Sequence, residues 1–472
     1  MNTNTKSNNQ TTNEYGDVRN ARRFVKLNKG KVIYIPQSNS WCHFKDNKQK
    51  WVKDNMNFIM QSAIKVTDNM IFEASNKSIE VSEKYEDRKY LMYESSQLLK
   101  YAQSAQMKSR LDAMIALASS DTDIAVSQEI IDNNDMLLGC ENGIIDLDTC
   151  KVRNGKPEDY ITLSSNVAYD NTAKCTKWEK YLEEMQPDAD VRKWIQKYIG
   201  YCMTGATNEQ IFTIMCGDGS NGKSVFTNTI KTLFGNYSAT TSFETFAEHS
   251  TEAIRNDLAR LNKIRLVVAS ESNETVKLDE GLMKLITGGE KIESRFLHKE
   301  FFEYQPKFKI ILVTNNLPKI TGKDYGIWRR IVLIPWAIKV SDATRDFWLE
   351  EKLKSEMPGI LNWSLMGLKL FKKEGLKLPV ALEKARSVFK SQSNDLTDWF
   401  AEFLMLDKYA KTSVFSLVES YNVWAKKMGR SILSDKKLSQ QLNEMQELTS
   451  CKIYPSNRAA FSGVRFIEHA EP

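Results

Sequence analysis

Histidine is scarce in this chain: four residues in 472, at positions 43, 249, 298 and 469, too scattered to promise a His-based metal site. Cysteine is nearly as sparse. The seven are an odd number, widely dispersed and without a C-x-x-C pair, which argues against both a disulfide framework and a zinc ribbon. Long apolar runs are missing too, none approaching the roughly 20 residues that span a bilayer. The opening MNTNTKSNNQTTNEYG is polar rather than signal-like. Together these absences predict a cytoplasmic protein with no membrane partner.

What remains is the composition of a globular protein, 41% hydrophobic and 27% charged, in a chain long enough for two to four domains. The net charge of +6 is unevenly spread. Residues 1–60 hold eleven Lys/Arg and four Asp/Glu, a net of +7, so the rest of the chain sums to −1. A basic leading arm suits contact with a phosphate backbone, and equally suits a solvated tail.

The most informative stretch is GDGSNGKS, Gly217 to Ser224, directly after the apolar run IFTIMC and before a helix start at Val225. Glycines at 217, 219 and 222 let the backbone turn tightly around Asp218, Ser220 and Asn221 and bring its N–H groups close to an anion. Lys223 would reach the β- and γ-phosphates, Ser224 would offer its hydroxyl to Mg²⁺, and the helix would aim its positive end at the same phosphates. The pattern predicts a nucleoside triphosphate site.

Around it, strands and helices alternate: IFTIMC, IRLVVAS, KIILVT and IVLIPW are strand-like, with helical stretches between the first three. Such alternation predicts an α/β core with a mostly parallel sheet. Upstream, KVIYI, SWCHF and KWVKD read as a small β meander turning at Asp46-Asn47-Lys48, and residues 78–118 read as one or two helices. Next come LLGCENGIIDLDT, with a turn at Asn142-Gly143, and a helical pair broken at Pro187-Asp188. Near the end, two helical runs precede the β-like CKIYP and GVRFIE, the pattern of a winged helix.

Three further stations bear on chemistry. IRLVVASE delivers Glu271 at a strand end, where an acid can hold Mg²⁺ through water or polarise an attacking water. KIILVTNN ends in Asn315 and Asn316, where an amide can bridge a γ-phosphate and a lytic water, although Asn-Asn before Leu-Pro also suits a plain turn. GIWRRIVLIP places Arg329 and Arg330 where they would reach a neighbouring subunit's nucleotide in a ring; a surface pair is the simpler reading.

In their order, GDGSNGKS, LARLNKIRLVVASE, LITGGEKIESRFLHKE, FKIILVTNNLP and GIWRRIVLIPW resemble the superfamily 3 helicases, and more narrowly the phage/plasmid primase-helicase family related to the poxvirus nucleoside triphosphatase-primase. The resemblance covers roughly residues 135–375. It implies an AAA+ ATPase that assembles as a homo-hexamer and moves single- or double-stranded DNA through its centre using ATP and Mg²⁺. It implies phosphate and metal roles for Lys223 and Ser224, the acid of the second motif for Glu271, a sensor role for Asn315 and a trans-acting finger at Arg329 or Arg330. Gly288–Glu300 would be a channel-lining hairpin presenting His298 and Lys299 to DNA. Many family members end the second motif with two acids; here Ser270 precedes Glu271, which leaves the division between metal ligand and general base open, and Glu274 could share the work.

The expected organisation is a disordered basic arm (1–30), a small α+β domain (31–134), a helical motor-preceding domain (135–204), the ATPase (205–375), a linker (376–398) and a winged-helix-like DNA-binding domain (399–472). Asp121/Asp123 and Asp146/Asp148 look like primase metal pairs but lack a supporting histidine or acid, so the expectation is a helicase without a primase domain. Trp41 and Trp51 suit a small core better than base stacking. Such proteins resemble replication initiator-helicases of phages and staphylococcal mobile genomic islands, which work with other replication proteins of the element or host. An origin-binding initiator whose ATPase drives assembly, and a monomeric small-molecule kinase, stay open as rivals.

Overall fold

The computed structural model describes residues 15–80, 88–248, 255–270, 277–296, 300–318, 320, 325–341, 343, 345–392, 395–428, 432–443, 445, 448–455 and 457–467. The chain begins with helix α1 (Asp17–Asn28), a meander of β1 (Val32–Ile35), β2 (Ser40–Lys45) and β3 (Lys50–Lys53), and helices α2 (Phe58–Glu80), α3 (Arg88–Ala105) and α4 (Lys108–Ala118). The expected disordered arm therefore yields, from residue 17, to a packed helix. Ala21, Phe24, Val25 and Asn28 recur at helical spacing and are buried against α2 and α4, which leaves the basic residues on the outer face. Trp51 is buried and its indole donates to the Pro157 carbonyl at 2.8 Å.

A second antiparallel sheet follows, β4 (Leu137–Cys140), β5 (Gly143–Asp146) and β6 (Lys151–Arg153), and then α5 (Thr176–Met185) and α6 (Ala189–Cys202). Residues 135–204 are thus not a purely helical domain. Asp188 caps α6 through the N–H groups of Asp190 and Val191, so the Pro187-Asp188 break is a helix start.

The central sheet is built from β7 (Phe212–Cys216), which leads into α7 (Lys223–Phe234); β8 (Ser238–Ser242); α8 (Asn256–Ala259); β9 (Leu266–Ser270); and α9 (Glu280–Gly288). The hairpin β10 (Ile292–Ser294) and β11 (Phe302–Tyr304) intervenes before β12 (Lys309–Thr314), α10 (Tyr325–Trp328) and β13 (Ile331–Pro335). All five main strands are parallel in the order β13-β7-β12-β9-β8. Successive residues alternate between two cores: Met215, Val268, Ile311 and Val332 face one, while Ile214, Val267, Ile310 and Leu333 face the other.

The first of these cores also contains the β4–β6 sheet, α5, α6, α11 (Leu349–Lys354) and α12 (Met357–Glu374). No physical boundary falls at residue 205. Helices α6 and α12 touch backbone to backbone: a Cβ on Gly200 would lie 2.1 Å from the Leu368 amide nitrogen, and one on Gly367 would lie 2.0 Å from the Gln196 carbonyl. Two buried basic side chains complete the join. Arg265 donates to the carbonyls of Met203, Asn134 and Leu137, and Lys309 to those of Thr204 and Ala206.

The expected linker is mostly helix as well. In α13 (Val380–Gln392), Phe389 is buried edge-on against Trp328, which anchors the segment to the second core. The last unit runs α14 (Asp395–Phe403), β14 (Leu404–Ser413), α15 (Val414–Lys427), α16 (Asp435–Leu442), β15 (Thr449–Ile453) and β16 (Arg458–Phe466), with its own core around Trp399, Tyr421 and Trp424. Its antiparallel sheet has β16 between β14 and β15. Among the described residues no helix is long and apolar enough to cross a membrane, and all seven cysteines are free.

Candidate functional site

Parallel pairing brings three strand tips to one level. Cys216, the last residue of β7, lies opposite Thr314 of β12, and Ser270 of β9 lies opposite Val313. The three strands therefore end at one edge of the sheet, where α/β folds place ligands. A cavity of about 1280 Å³ occupies this edge, lined by the 219–225 loop, Ser270, Asn315, α5 and the start of α11.

The loop from Gly217 is held from several sides. A Cβ on Gly217 would come within 2.1 Å of the Trp336 carbonyl, so only glycine fits there. Asn221 donates to the same carbonyl at 3.0 Å, and the Val340 amide donates to Ser220 at 2.9 Å. Gly222 is left-handed, with φ 80°, and turns the chain into α7. Its carbonyl accepts a 2.7 Å hydrogen bond from the hydroxyl of Tyr181, a buried side chain on α5. Asp218 points outward to Lys339 at 3.4 Å, and Gly219 and Ser220 are exposed at the mouth.

Lys223 opens α7 and is buried. Its ammonium donates to the Gly217 carbonyl and, at 3.2 Å, to the Asn315 side-chain oxygen. Burial holds its pKa below the ordinary value. A buried cation whose hydrogen-bond partners are neutral oxygens, beside a helix N-terminus with an exposed serine at 224, is the donor set a polyphosphate requires. The arrangement can bind and orient such a group.

The structure thus brings Lys223, Ser224 and Asn315 together. Glu271, Glu274, His298 and Lys299 lie outside the described residues. The hairpin meant to present the last two is β10–β11; it spans 292–304 rather than 288–300, because α9 continues to Gly288. Arg329 and Arg330 are elsewhere. They precede β13, whose first residue Ile331 pairs with Phe212, so they occupy the opposite edge of the sheet. Five residues of strand separate the edges by roughly 15 Å, at about 3.3 Å per residue. Arg329 is exposed and meets the Gln210 side chain, whereas Arg330 donates to Thr287 at 3.1 Å and to the Gly326 carbonyl at 2.6 Å.

The acidic pairs have local partners. Asp123 pairs with Lys29 and Asp148 with Lys372, while Asp121 and Asp146 accept from nearby backbone amides. Sequence reasoning missed Tyr181, Trp336 and the 345–350 segment, which reach the loop through long-range packing.

A parallel five-stranded sheet with a glycine-rich loop running into a helix is consistent with an α/β nucleotide-binding core. Comparisons narrow the class. Residues 21–187 match the family described as D5 N terminal like, and residues 215–330 match a family of unknown function, DUF5906. The chain is 29% identical over 323 residues to a protein of Acanthamoeba polyphaga mimivirus named as a candidate helicase, L207/L206, covering 63% of this chain and 33% of that one. It is 26% identical over 310 residues to a similarly named protein, 184R, of Invertebrate iridescent virus 6, covering 57% and 32%. The chain therefore spans about a third of the length of these two curated relatives. Among solved structures, the apo C-terminal region of NrS-1 aligns over 93% of this chain and 97% of that one, at 10% identity and a TM-score of 0.48. By sequence the chain is thus similar to viral proteins named as candidate helicases and, over residues 21–187, to the D5 N terminal like family.

Proposed function

We propose that this chain is an ATP-hydrolysing motor of the AAA+ superfamily 3 type that translocates on DNA during replication of a phage, virus or mobile genomic island. The observation that carries the reading is the Lys223–Asn315 contact, which joins the loop after β7 to the tip of the adjacent strand β12. The strand order supports the AAA+ assignment, and the names of the matched relatives support helicase activity.

In this reading ATP would lie along the 217–224 loop and Ser224 would hold Mg²⁺, which when bound supplies charge neutralisation to the phosphates. Lys223 supplies a fixed positive charge, already desolvated, so little reorganisation is needed when the γ-phosphate leaves. Asn315, touching Lys223, orients a water against that phosphate. Glu271, one residue beyond Ser270 on the cavity wall, is the proposed acid. Arg329 is the proposed finger: it is exposed, and it sits across the sheet from its own chain's loop, which supports service to a neighbour in a hexameric ring. Arg330, tied to Thr287 and Gly326, braces the same edge.

Strand displacement on forked DNA, with either tail single-stranded, tests the reading. Unwinding that requires ATP and vanishes in Lys223→Ala is expected. Hydrolysis without DNA stimulation, by a chain that stays monomeric, would favour a small-molecule kinase.

A second reading, an origin-binding initiator, is favoured by the α-β-α-α-β-β order from α14 to β16, which supports a winged-helix assignment. Truncation after residue 392, which keeps Phe389 on its core, should spare ATP hydrolysis and weaken duplex binding.

A further inference from the structure

The 345–352 segment, which lines the cavity together with the phosphate loop, carries two consecutive large aromatics that no core uses. Phe347 is 75% exposed and Trp348 is 70% exposed. Among the described residues Trp348 is the single exposed tryptophan of ten; the others are buried or half-buried. An exposed tryptophan is a departure that asks for a ligand or a partner.

The position of this pair is referenced to the loop. On one side, the Glu350 carboxylate accepts a 3.1 Å hydrogen bond from Asn228 of α7, the helix that Lys223 begins. On the other, the chain leaving β13 is bonded to the loop through Val340 and Ser220. Between these ties, Asp346 accepts from the Trp348 amide at 3.0 Å and from the Lys352 ammonium at 2.6 Å, which draws its pKa below the usual carboxylate range. Arg345 stands 5.0 Å from the Phe347 ring centroid. Two aromatic side chains thereby line the same cavity as the phosphate loop.

The cavity is larger than a triphosphate requires. At about 1280 Å³ it exceeds the roughly 300–1,000 Å³ usual for small-ligand sites, so ample room remains beyond the loop. We propose that Phe347 and Trp348 form its nucleobase shelf, stacking on the purine ring of the nucleotide; this rests on the nucleotide-site reading above. Stacking against an aromatic is sequence-tolerant but grows with ring area, so the shelf favours purine over pyrimidine nucleotides.

The test uses the full chain and three probes, each with Mg²⁺: a non-hydrolysable ATP analogue, its CTP counterpart, and inorganic tripolyphosphate, which has no base. Calorimetry on Trp348→Ala should show the ATP analogue weakened about tenfold or more, a smaller purine-over-pyrimidine ratio, and tripolyphosphate bound as before. Trp348→Phe should restore most of the affinity. Both positions are exposed, so the variants should fold. An ATP affinity unchanged in Trp348→Ala, while Lys223→Ala loses both ATP analogue and tripolyphosphate, overturns the shelf and leaves the nucleotide site standing. Equal loss of all three probes in Trp348→Ala also overturns it, since the loop itself would then be damaged. A lower assembly mass by light scattering with unchanged affinity assigns the aromatics to a contact between copies and likewise overturns it. Retention of both ligands by Lys223→Ala removes the nucleotide site altogether.

Discussion

The hydroxyl of Tyr181 donates to the carbonyl of Gly222 at 2.7 Å, so a helix that precedes the central sheet sets the geometry of the loop within it. Gly222 sits in the left-handed region that ends the loop, and its carbonyl direction fixes how α7 begins. Burial pushes the Tyr181 phenol well above its ordinary pKa, so it remains a donor at any physiological pH. Tyr181→Phe keeps the ring and deletes the donor. We expect stability to fall by about 1–2 kcal/mol and nucleotide affinity to fall several-fold, measured by urea unfolding and calorimetry. Unchanged affinity would show that the loop holds its shape without α5.

Arg329 and Arg330 should separate in function although they are neighbours in sequence. Arg329→Ala should leave nucleotide binding intact and reduce turnover by about a thousandfold. Arg330→Ala loses bonds to Thr287 and Gly326 and should mainly lower stability, by about 1–3 kcal/mol. Mixing Arg329→Ala with Lys223→Ala chains should restore part of the turnover, because one chain's intact loop can then face another's intact arginine. Co-assembly without rescue would count against a trans-acting Arg329.

Lys309 predicts a pH dependence. Burial lowers its pKa from the ordinary 10.5 to about 7. Between these values the unfolded chain carries a proton at this site that the folded chain does not, so stability rises with pH through that window and levels off below about 7. Subtracting Lys309→Met from wild type isolates this group. The difference should grow in favour of wild type by on the order of a few kcal/mol from pH 7 to pH 10, read from urea midpoints. A flat difference would mean that the amine titrates normally.

Gly200 tests the shared core. Its Cβ would enter the α12 backbone, and the neighbouring helix cannot yield without parting from the sheet. Gly200→Ala should cost roughly 3 kcal/mol, in a transition where α6 and the central sheet unfold together. Separate transitions would restore the boundary that the sequence suggests.

The central strands were legible because they are short apolar runs ending in polar residues, and the loop was legible because its glycines and lysine follow a fixed spacing. Strand β8, SATTS, escaped notice because an edge strand of Ser and Thr lacks that apolar signal; only its pairing with β9 reveals it. The first helix was hidden by its basic residues, since Ala21, Phe24 and Val25 gain meaning once α2 and α4 cover them. Of the candidate site, Lys223 and Asn315 were readable as motif residues. Tyr181 and Trp336 were not, because each acts through a contact far from it in sequence.

The D5-like match ends at residue 187, between α5 and α6, and the next match starts at 215. Yet α5, α6 and α12 share one core with the sheet, and Tyr181 in the first region holds Gly222 in the second. These regions are therefore poor units for recombination. A lineage that exchanged everything ahead of residue 205 for a foreign module would have to import with it a matching hydroxyl and a glycine that meets α12 as Gly200 does. Descent should keep the two together, and chimaeras joined near residue 205 should fail unless the seam is moved ahead of β4.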